Sequence, residues 1–387
     1  MKLKTKLTKI GRNPKKNKGY VNPPIFKGST IIFDDFKSYI KDRDKSDDDE
    51  NAKYGIQFNP TAKNFENAIT SLYNSNDTVL TSSGLTALVI PFFAYLKNGD
   101  HVLINDSLYN PTRKFCENIL KNFDIKIDYF HSTRNINNFE KLIKKNTKLI
   151  YLESPGTATF DIIDFPKITK IAKKNNIITV ADNTWASPLF CNPIKLGVNI
   201  VIEAATKYIN GHSDILLGLI SSDKKTSKKI RFFTKSMGIC AGSEETYLAL
   251  RGLPTLETRI KEIEKNALNL ANALTKNNKV KKVFHPALKN HKNHNIWKRD
   301  FKGSTGLFSF ELNKKYSQKS LEKFYKQLNI FKIGYSWGGF ESLITFPTIE
   351  GRKFKDKIKG NLVRVYCGHE DSEDQIEDIF KALDILK

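Results

Sequence analysis

The sequence is short of nearly everything that would assign it to a membrane, a secreted scaffold or a metal centre. Its longest apolar run, residues 85–96, is broken by Pro91 and falls short of the ~20 residues a membrane helix needs. The first ten residues, MKLKTKLTKI, contain no uninterrupted apolar stretch of the signal-peptide kind, so a soluble cytoplasmic protein is expected. Only four cysteines occur, Cys116, Cys191, Cys240 and Cys367, far apart and without a Cys-x-x-Cys pair. They predict free buried thiols, not a disulfide framework. His291 and His294 have ligand-like spacing, but no cysteine or carboxylate cluster accompanies them and no metal site is expected. Arginine is scarce as well, 10 of the 64 basic residues. That shortage decides how the net charge of +23 is read. Arg provides the planar fork suited to phosphate and guanine, whereas this chain spreads Lys among Asn, as at 173–176 and 276–279. Such a surface is solvated and basic throughout, and neither nucleic acid nor membrane is an expected partner.

What is present suffices for a large core: 39% of the residues are hydrophobic and 11% aromatic, which excludes a disordered chain. Residues 1–57 carry little periodic pattern, with an acidic run at 47–50, and read as an arm that must lie on something else. Over 58–253 short β-rich runs, at 78–81, 101–105, 148–153, 177–181, 200–203 and 216–221, alternate with helical segments. That alternation predicts an α/β domain with a mostly parallel sheet. Residues 254–387 change character again. A helix over 258–274, strands near 306–311 and 361–366, and a closing helix over 371–386 predict a smaller α+β domain.

In open α/β sheets ligands bind beyond the carboxyl ends of the strands, so the residues that follow each strand matter most. After 78–81 comes Ser82-Ser83-Gly84-Leu85-Thr86, a small-residue turn opening a helix whose free N–H groups suit a phosphate. Tyr109 follows the second run, Glu153-Ser154-Pro155 the third and Asp182-Asn183-Thr184 the fourth. Glu203-Ala204-Ala205-Thr206-Lys207 follows the fifth. One sheet edge thus collects a phosphate cradle, an aromatic ring, a carboxylate and an amine. A cofactor with a phosphate, a flat ring, a basic ring nitrogen and an aldehyde needs those four, and pyridoxal 5′-phosphate fits.

These residues carry a resemblance. The strings Leu152-Glu153-Ser154-Pro155-Gly156, Asp182-Asn183-Thr184-Trp185-Ala186 and Ala204-Ala205-Thr206-Lys207-Tyr208, with Gly211-His212-Ser213-Asp214 beyond, are similar to those of the Cys/Met-metabolism family of pyridoxal-phosphate enzymes. Tyr335-Ser336-Trp337-Gly338-Gly339-Phe340 resembles its bacterial cystathionine β-lyase branch. The resemblance implies the fold-type-I, aspartate-aminotransferase-like architecture. It also implies an amino-acid substrate, a place in methionine biosynthesis, and a homo-oligomer with a dimer as active unit, assembled into a tetramer. Lys207 would hold the cofactor aldehyde and serve as acid and base. Asp182 would pair with the ring nitrogen and Tyr109 would stack on the ring, its phenol placed to assist proton transfer. Gly84, Leu85 and Thr206 would bind the phosphate, together with Tyr54 of the arm reaching the neighbouring subunit. Arg364 would fork onto the substrate carboxylate, helped by Ser336 and Trp337, with Tyr54 again at the substrate. His212 is expected to order the loop after Lys207, and Glu153, Asn183 and Thr184 to support the pocket. In one place the chain departs from the family: Ile56 stands where a Tyr-x-Arg pair would put Arg, and Lys53 is the candidate to compensate.

The leading expectation is therefore a carbon–sulfur β-lyase, cleaving L-cystathionine to L-homocysteine, pyruvate and ammonia. A γ-acting relative is the alternative, against which Trp337 speaks. A non-catalytic nucleic-acid binder would have no use for Lys207 in its full motif. Lys207 and Tyr109 offer two proton donors to one carbon, which leaves two outcomes for alanine: slow racemisation as a side activity, or return of the proton by Lys207 to the face it came from with no inversion.

Overall fold

A computed structural model describes residues 1–43, 54–56, 59–134, 136–354 and 358–387. The apolar runs become strands largely buried on both faces, β1 Asp77–Thr81, β2 His101–Asn105, β4 Thr147–Glu153, β5 Ile178–Asp182, β6 Ile200–Ala204 and β7 Gly218–Ser222, joined by a partly exposed β3 Lys126–Phe130. They form one sheet in the order β1-β7-β6-β5-β4-β2-β3. Successive side chains of a strand face opposite sides, so Val102 and Ile104 enter one apolar cluster and Leu103 the other. Helices Gly84–Tyr95 and Asn110–Asn118 cover the first face, Pro60–Tyr73 and Phe165–Lys174 the second. The expected parallel sheet is found, except that β7 runs antiparallel to both β1 and β6. Strand β3 was not anticipated; Lys and Asp in its first three residues give an edge strand no clear apolar signal.

The helix Leu256–Leu274 leads into the smaller domain. There β8 Val280–Phe284, β9 Leu307–Leu312, β10 Lys332–Ile333, β11 Leu343–Thr345 and β12 Leu362–Tyr366 form a sheet ordered β10-β11-β12-β9-β8. All its pairs are antiparallel apart from β10 with β11. Helices Gln318–Gln327 and Ser372–Asp384 complete its core through Phe324, Ile379 and Leu383.

The N-terminal segment is less irregular than its sequence suggests. Leu3–Leu7 and Phe36–Arg43 are helical, and Leu7 is fully buried in this chain's own core. Lys6 donates to the Ser71 carbonyl and Arg12 to that of Leu250 at 3.2 Å. The start of the arm therefore lies on its own large domain. The acidic run at 47–50 and Lys53 fall outside the described residues. Cys116, Cys191 and Cys367 are buried thiols as expected, but Cys240 is exposed, because it sits on the wall of a surface groove. Among the described residues no group of His, Cys, Asp and Glu could hold a metal. No helix among them is long and apolar enough to cross a membrane.

Candidate active site

The carboxyl ends of β1, β2, β4, β5 and β6 converge on a cavity of about 240 Å3, closed from the other side by Trp337 and Arg364 of the small domain. Gly84, Leu85, Tyr109, Asp182, Thr206 and Lys207 all line it. A larger groove of about 720 Å3 holds Tyr54 and Ile56 instead, so this chain's own cavity does not contain Tyr54.

Ser83 caps the helix that starts at Gly84, its Oγ accepting the Thr86 N–H at 3.1 Å, while the Ala87 N–H turns back to the Ser83 carbonyl at 3.2 Å. The N–H groups of Gly84 and Leu85 keep no acceptor among the described residues and front the cavity, at the positive end of the helix. A Cβ on Gly84 would stand 2.6 Å from that of Ala204, so only glycine lets this helix begin on top of β6. Thr206 lines the cavity too, but its hydroxyl bonds the Leu217 backbone, accepting at 2.9 Å and donating at 3.2 Å.

Asp182 ends β5. Its Oδ1 accepts the Thr184 N–H at 2.9 Å and the Thr184 hydroxyl at 2.5 Å. Burial raises its carboxyl above the ordinary range, while the Thr184 bonds and Lys207 oppose the shift. A buried carboxylate so placed gains from a cation, which a protonated ring nitrogen supplies. Lys207 is pushed down to about 8, by burial first and then by Arg364, with Asp182 pulling the other way. A far larger share of its amine than of an ordinary lysine's is thus free base near neutral pH, the form that attacks an aldehyde. The ammonium donates to Ser336 Oγ at 2.8 Å and lies 5.3 Å from the Trp337 ring centre. Ser336, expected to help shape the substrate carboxylate site, here accepts a hydrogen bond from Lys207. Gly338, at φ +91°, explains how the two segments come so close: a Cβ there would lie 2.8–2.9 Å from the Lys207 backbone.

Arg364 stands on β12 and donates to the Tyr335 carbonyl at 3.3 Å. Burial holds it below the usual guanidinium range, and no carboxylate among the described residues pairs with it. It is suited to receive one. Tyr109 is raised by burial, then by Glu153 and Asp182, against Arg364, so its phenol keeps its proton near neutral pH. His212 Nδ1 contacts the Asn210 carbonyl at 2.7 Å, and Asn183 is tied to Tyr73, Ser187 and Cys191. Both order the scaffold, as expected.

One residue that shapes the site had no distinguishing signal in the sequence. Arg259 donates to the Tyr208 and Ile209 carbonyls at 2.8 and 3.1 Å, fixing the turn that carries Lys207. Glu153, expected only as support, holds Tyr109 by accepting its backbone N–H and takes the Thr157 hydroxyl at 2.6 Å. Burial and the neighbouring Asp182 push its carboxyl well above the ordinary range.

The free N–H pair, the buried Asp182 and the depressed amine thus fit a phosphate, a ring nitrogen and an aldehyde respectively. Comparison with known proteins agrees. A sequence model described as "Cys/Met metabolism PLP-dependent enzyme" matches residues 4–384. A Saccharomyces cerevisiae protein named as a candidate cystathionine beta-lyase is 42% identical over 87% of this chain and 97% of its own. The L-alanine/L-glutamate racemase of Wolbachia pipientis is 37% identical over 99% of this chain and 97% of its own. The cystathionine beta-lyase MetC of Escherichia coli is 32% identical over 98% of this chain and 97% of its own. Since a cystathionine gamma-lyase also reaches 32%, identity by itself does not divide β- from γ-acting relatives.

Proposed function

The chain belongs to the Cys/Met-metabolism family of pyridoxal 5′-phosphate enzymes, and we propose that within this family of lyases it cleaves the Cβ–S bond of L-cystathionine, releasing L-homocysteine, pyruvate and ammonia. When bound, the cofactor's protonated ring accepts the electron pair left at Cα. Lys207 holds its aldehyde, Asp182 its ring nitrogen, Gly84 and Leu85 its phosphate, and Tyr109 stacks on its ring. Thr206 adds its hydroxyl to the phosphate site once that hydroxyl turns from Leu217. Arg364 takes the substrate α-carboxylate in a two-pronged contact. Lys207, more readily free-base near neutral pH than an ordinary lysine, removes the Cα proton and returns one to the leaving sulfur. Water then completes the balance, taking the three-carbon fragment to pyruvate and ammonia.

The observation that carries β over γ is the seat of the Lys207 amine between Ser336 Oγ and the Trp337 ring. Elimination at Cγ needs a further proton taken from Cβ, and this seat restricts the amine's travel along the substrate. Incubation with L-cystathionine should yield pyruvate and homocysteine; 2-oxobutyrate and cysteine as the main products would reverse the assignment. Borohydride reduction and peptide mapping should place the cofactor on Lys207.

The active unit in this reading is a dimer. Tyr54, half exposed on the groove outside this chain's cavity, is free to serve a neighbour's. Light scattering tests it.

A second reading is favoured by the protonated Tyr109 phenol, which lines the cavity together with Lys207. Alanine has no β-leaving group, so its Cα can only be reprotonated, and delivery from Tyr109 would invert it. The racemase relative supports this. L-Alanine in heavy water should give D-alanine slowly; deuterium at Cα without D-alanine would remove this activity.

A further inference from the structure

The loop that walls one side of the cavity is strained and is gripped from the other domain. Between Gly156 and Asp161 the chain places Ala158 at φ +66° and Phe160 at φ +52°, in the left-handed region that residues with a Cβ seldom occupy. Both are buried, and both line the cavity along with Thr157. Such a conformation persists only where the surroundings over-determine it.

Part of the restraint is local. The Gly156 and Phe160 N–H groups bond the Asp161 and Gly156 carbonyls, each at 2.9 Å, and the Thr157 N–H reaches the Ser107 carbonyl at 2.7 Å. The rest comes from the small domain. Arg352 donates through Nη1 to Thr159 Oγ1 at 2.8 Å and through Nη2 to the Thr157 carbonyl. It also stands 4.0 Å from Asp161, whose other oxygen is 2.5 Å from Lys292 Nζ. The segment that bears Arg352 is itself fastened. The Lys353 and Phe354 N–H groups donate to the Asp106 carboxylate at 3.2 and 2.7 Å, and Arg113 pairs with the same group at 2.6 Å. Arg352, 9% exposed, thus bonds two residues that flank Ala158.

We propose that Arg352 is a positioning residue for substrate recognition: its two-pronged hold on Thr157 and Thr159 keeps the strained loop in place, so that Ala158 and Phe160 form the apolar wall against which the substrate side chain packs. The inference rests on the lyase reading only in its choice of assay substrate. A cation that merely glued the domains together would not need to meet a backbone carbonyl and a hydroxyl on either side of a left-handed residue.

The test uses the holoenzyme. In Arg352→Gln the KM for L-cystathionine should rise about tenfold or more, as expected for loss of a charge-assisted hydrogen bond, with a smaller fall in kcat. Cofactor retention should be unchanged, since Lys207, Asp182, Gly84 and Leu85 stand on other elements. Amide hydrogen exchange should quicken over residues 157–161 and stay unaltered in β5. Arg352→Lys should restore little, because one ammonium cannot serve both acceptors. Unchanged KM with unchanged exchange over the loop would overturn the proposal, and so would a uniform quickening across both domains. If the unaltered enzyme does not turn over cystathionine, the lyase reading fails, while the exchange comparison still decides the role of Arg352.

Discussion

Three acids of the large domain's inner sheet strands and the buried acids of the small domain are buried on opposite terms. In the small domain each buried acid is answered. Glu311 is pushed up by burial, but the Gly360 and Lys359 N–H groups and Lys281 outweigh that and hold it below its ordinary value. Asp378 accepts the N–H groups of Asn329, Ile330 and Phe331 at 2.7–3.1 Å. In the large domain Asp182, Glu153 and Glu203 all lie above the ordinary carboxylate range, with burial the first cause of each shift. Among the described residues Glu203 receives only the Tyr73 hydroxyl, at 2.6 Å, and Lys207 is the one cation that offsets any of the three. Buried charge is costly unless paired. Answered acids are scaffolding, and an under-answered trio marks where something positive is to arrive.

That contrast can be tested by sign as well as by size. The largest effect belongs to Asp182→Asn. Cofactor affinity should drop roughly tenfold to a hundredfold, the value of a charge-assisted hydrogen bond, with turnover falling further. In the cofactor-free protein, by contrast, the same change should raise the thermal midpoint, because it removes an unanswered carboxylate. A lower midpoint in both forms would mean that Asp182 is scaffolding after all.

Next in size is the response to pH. In the small domain burial pushes His285 down to about 3 and His291 down to about 4. A base whose folded pKa lies below its unfolded value of about 6.5 contributes full stability above that value and loses it as pH falls toward 4 and 3. The raised acids of the large domain act in reverse: their contribution is present at low pH and fades as pH rises through their folded values. From pH 7 to pH 5, hydrogen exchange corrected for its intrinsic rate should therefore quicken in β9 and slow in β5 of the cofactor-free protein. The expected difference is on the order of 1–2 kcal/mol. Parallel changes in the two strands would contradict the contrast.

The smallest effect is expected from Glu311→Gln, which removes an answered acid. It should cost about 0.5–1 kcal/mol, equally with and without cofactor, and leave cofactor retention alone. A loss of retention would tie the small-domain acids to the site.

How much of this was legible follows the same physics. The runs at 101–105 and 200–203 read as strands because they are apolar throughout, and Asp182, Lys207 and Tyr109 because each follows such a run. Period says nothing of direction, so the reversal of β7 was hidden. Strand β8, with Lys281 and Lys282 in its middle, carried no more signal than β3. Nothing local reveals that the Ser336 hydroxyl meets Lys207, 129 residues away. Arg352 and Arg259 were illegible for a related reason. An Arg whose acceptors are distant carbonyls looks, in sequence, like one facing water.

The reversed strand also governs how the chain is made. Thr78 of β1 and Ser221 of β7, whose hydroxyls meet at 2.8 Å, are 143 residues apart, and β7 is the strand that separates β1 from β6. At roughly 5–20 residues per second of synthesis, β1 waits on the order of 10–30 s before β7, its neighbour in the sheet, leaves the ribosome. The helix from Gly84, and with it the phosphate cradle, is tethered to that waiting strand. The cradle is therefore translated early and seated late, and during the interval an unpaired apolar edge is open to whatever the cell's chaperones bring.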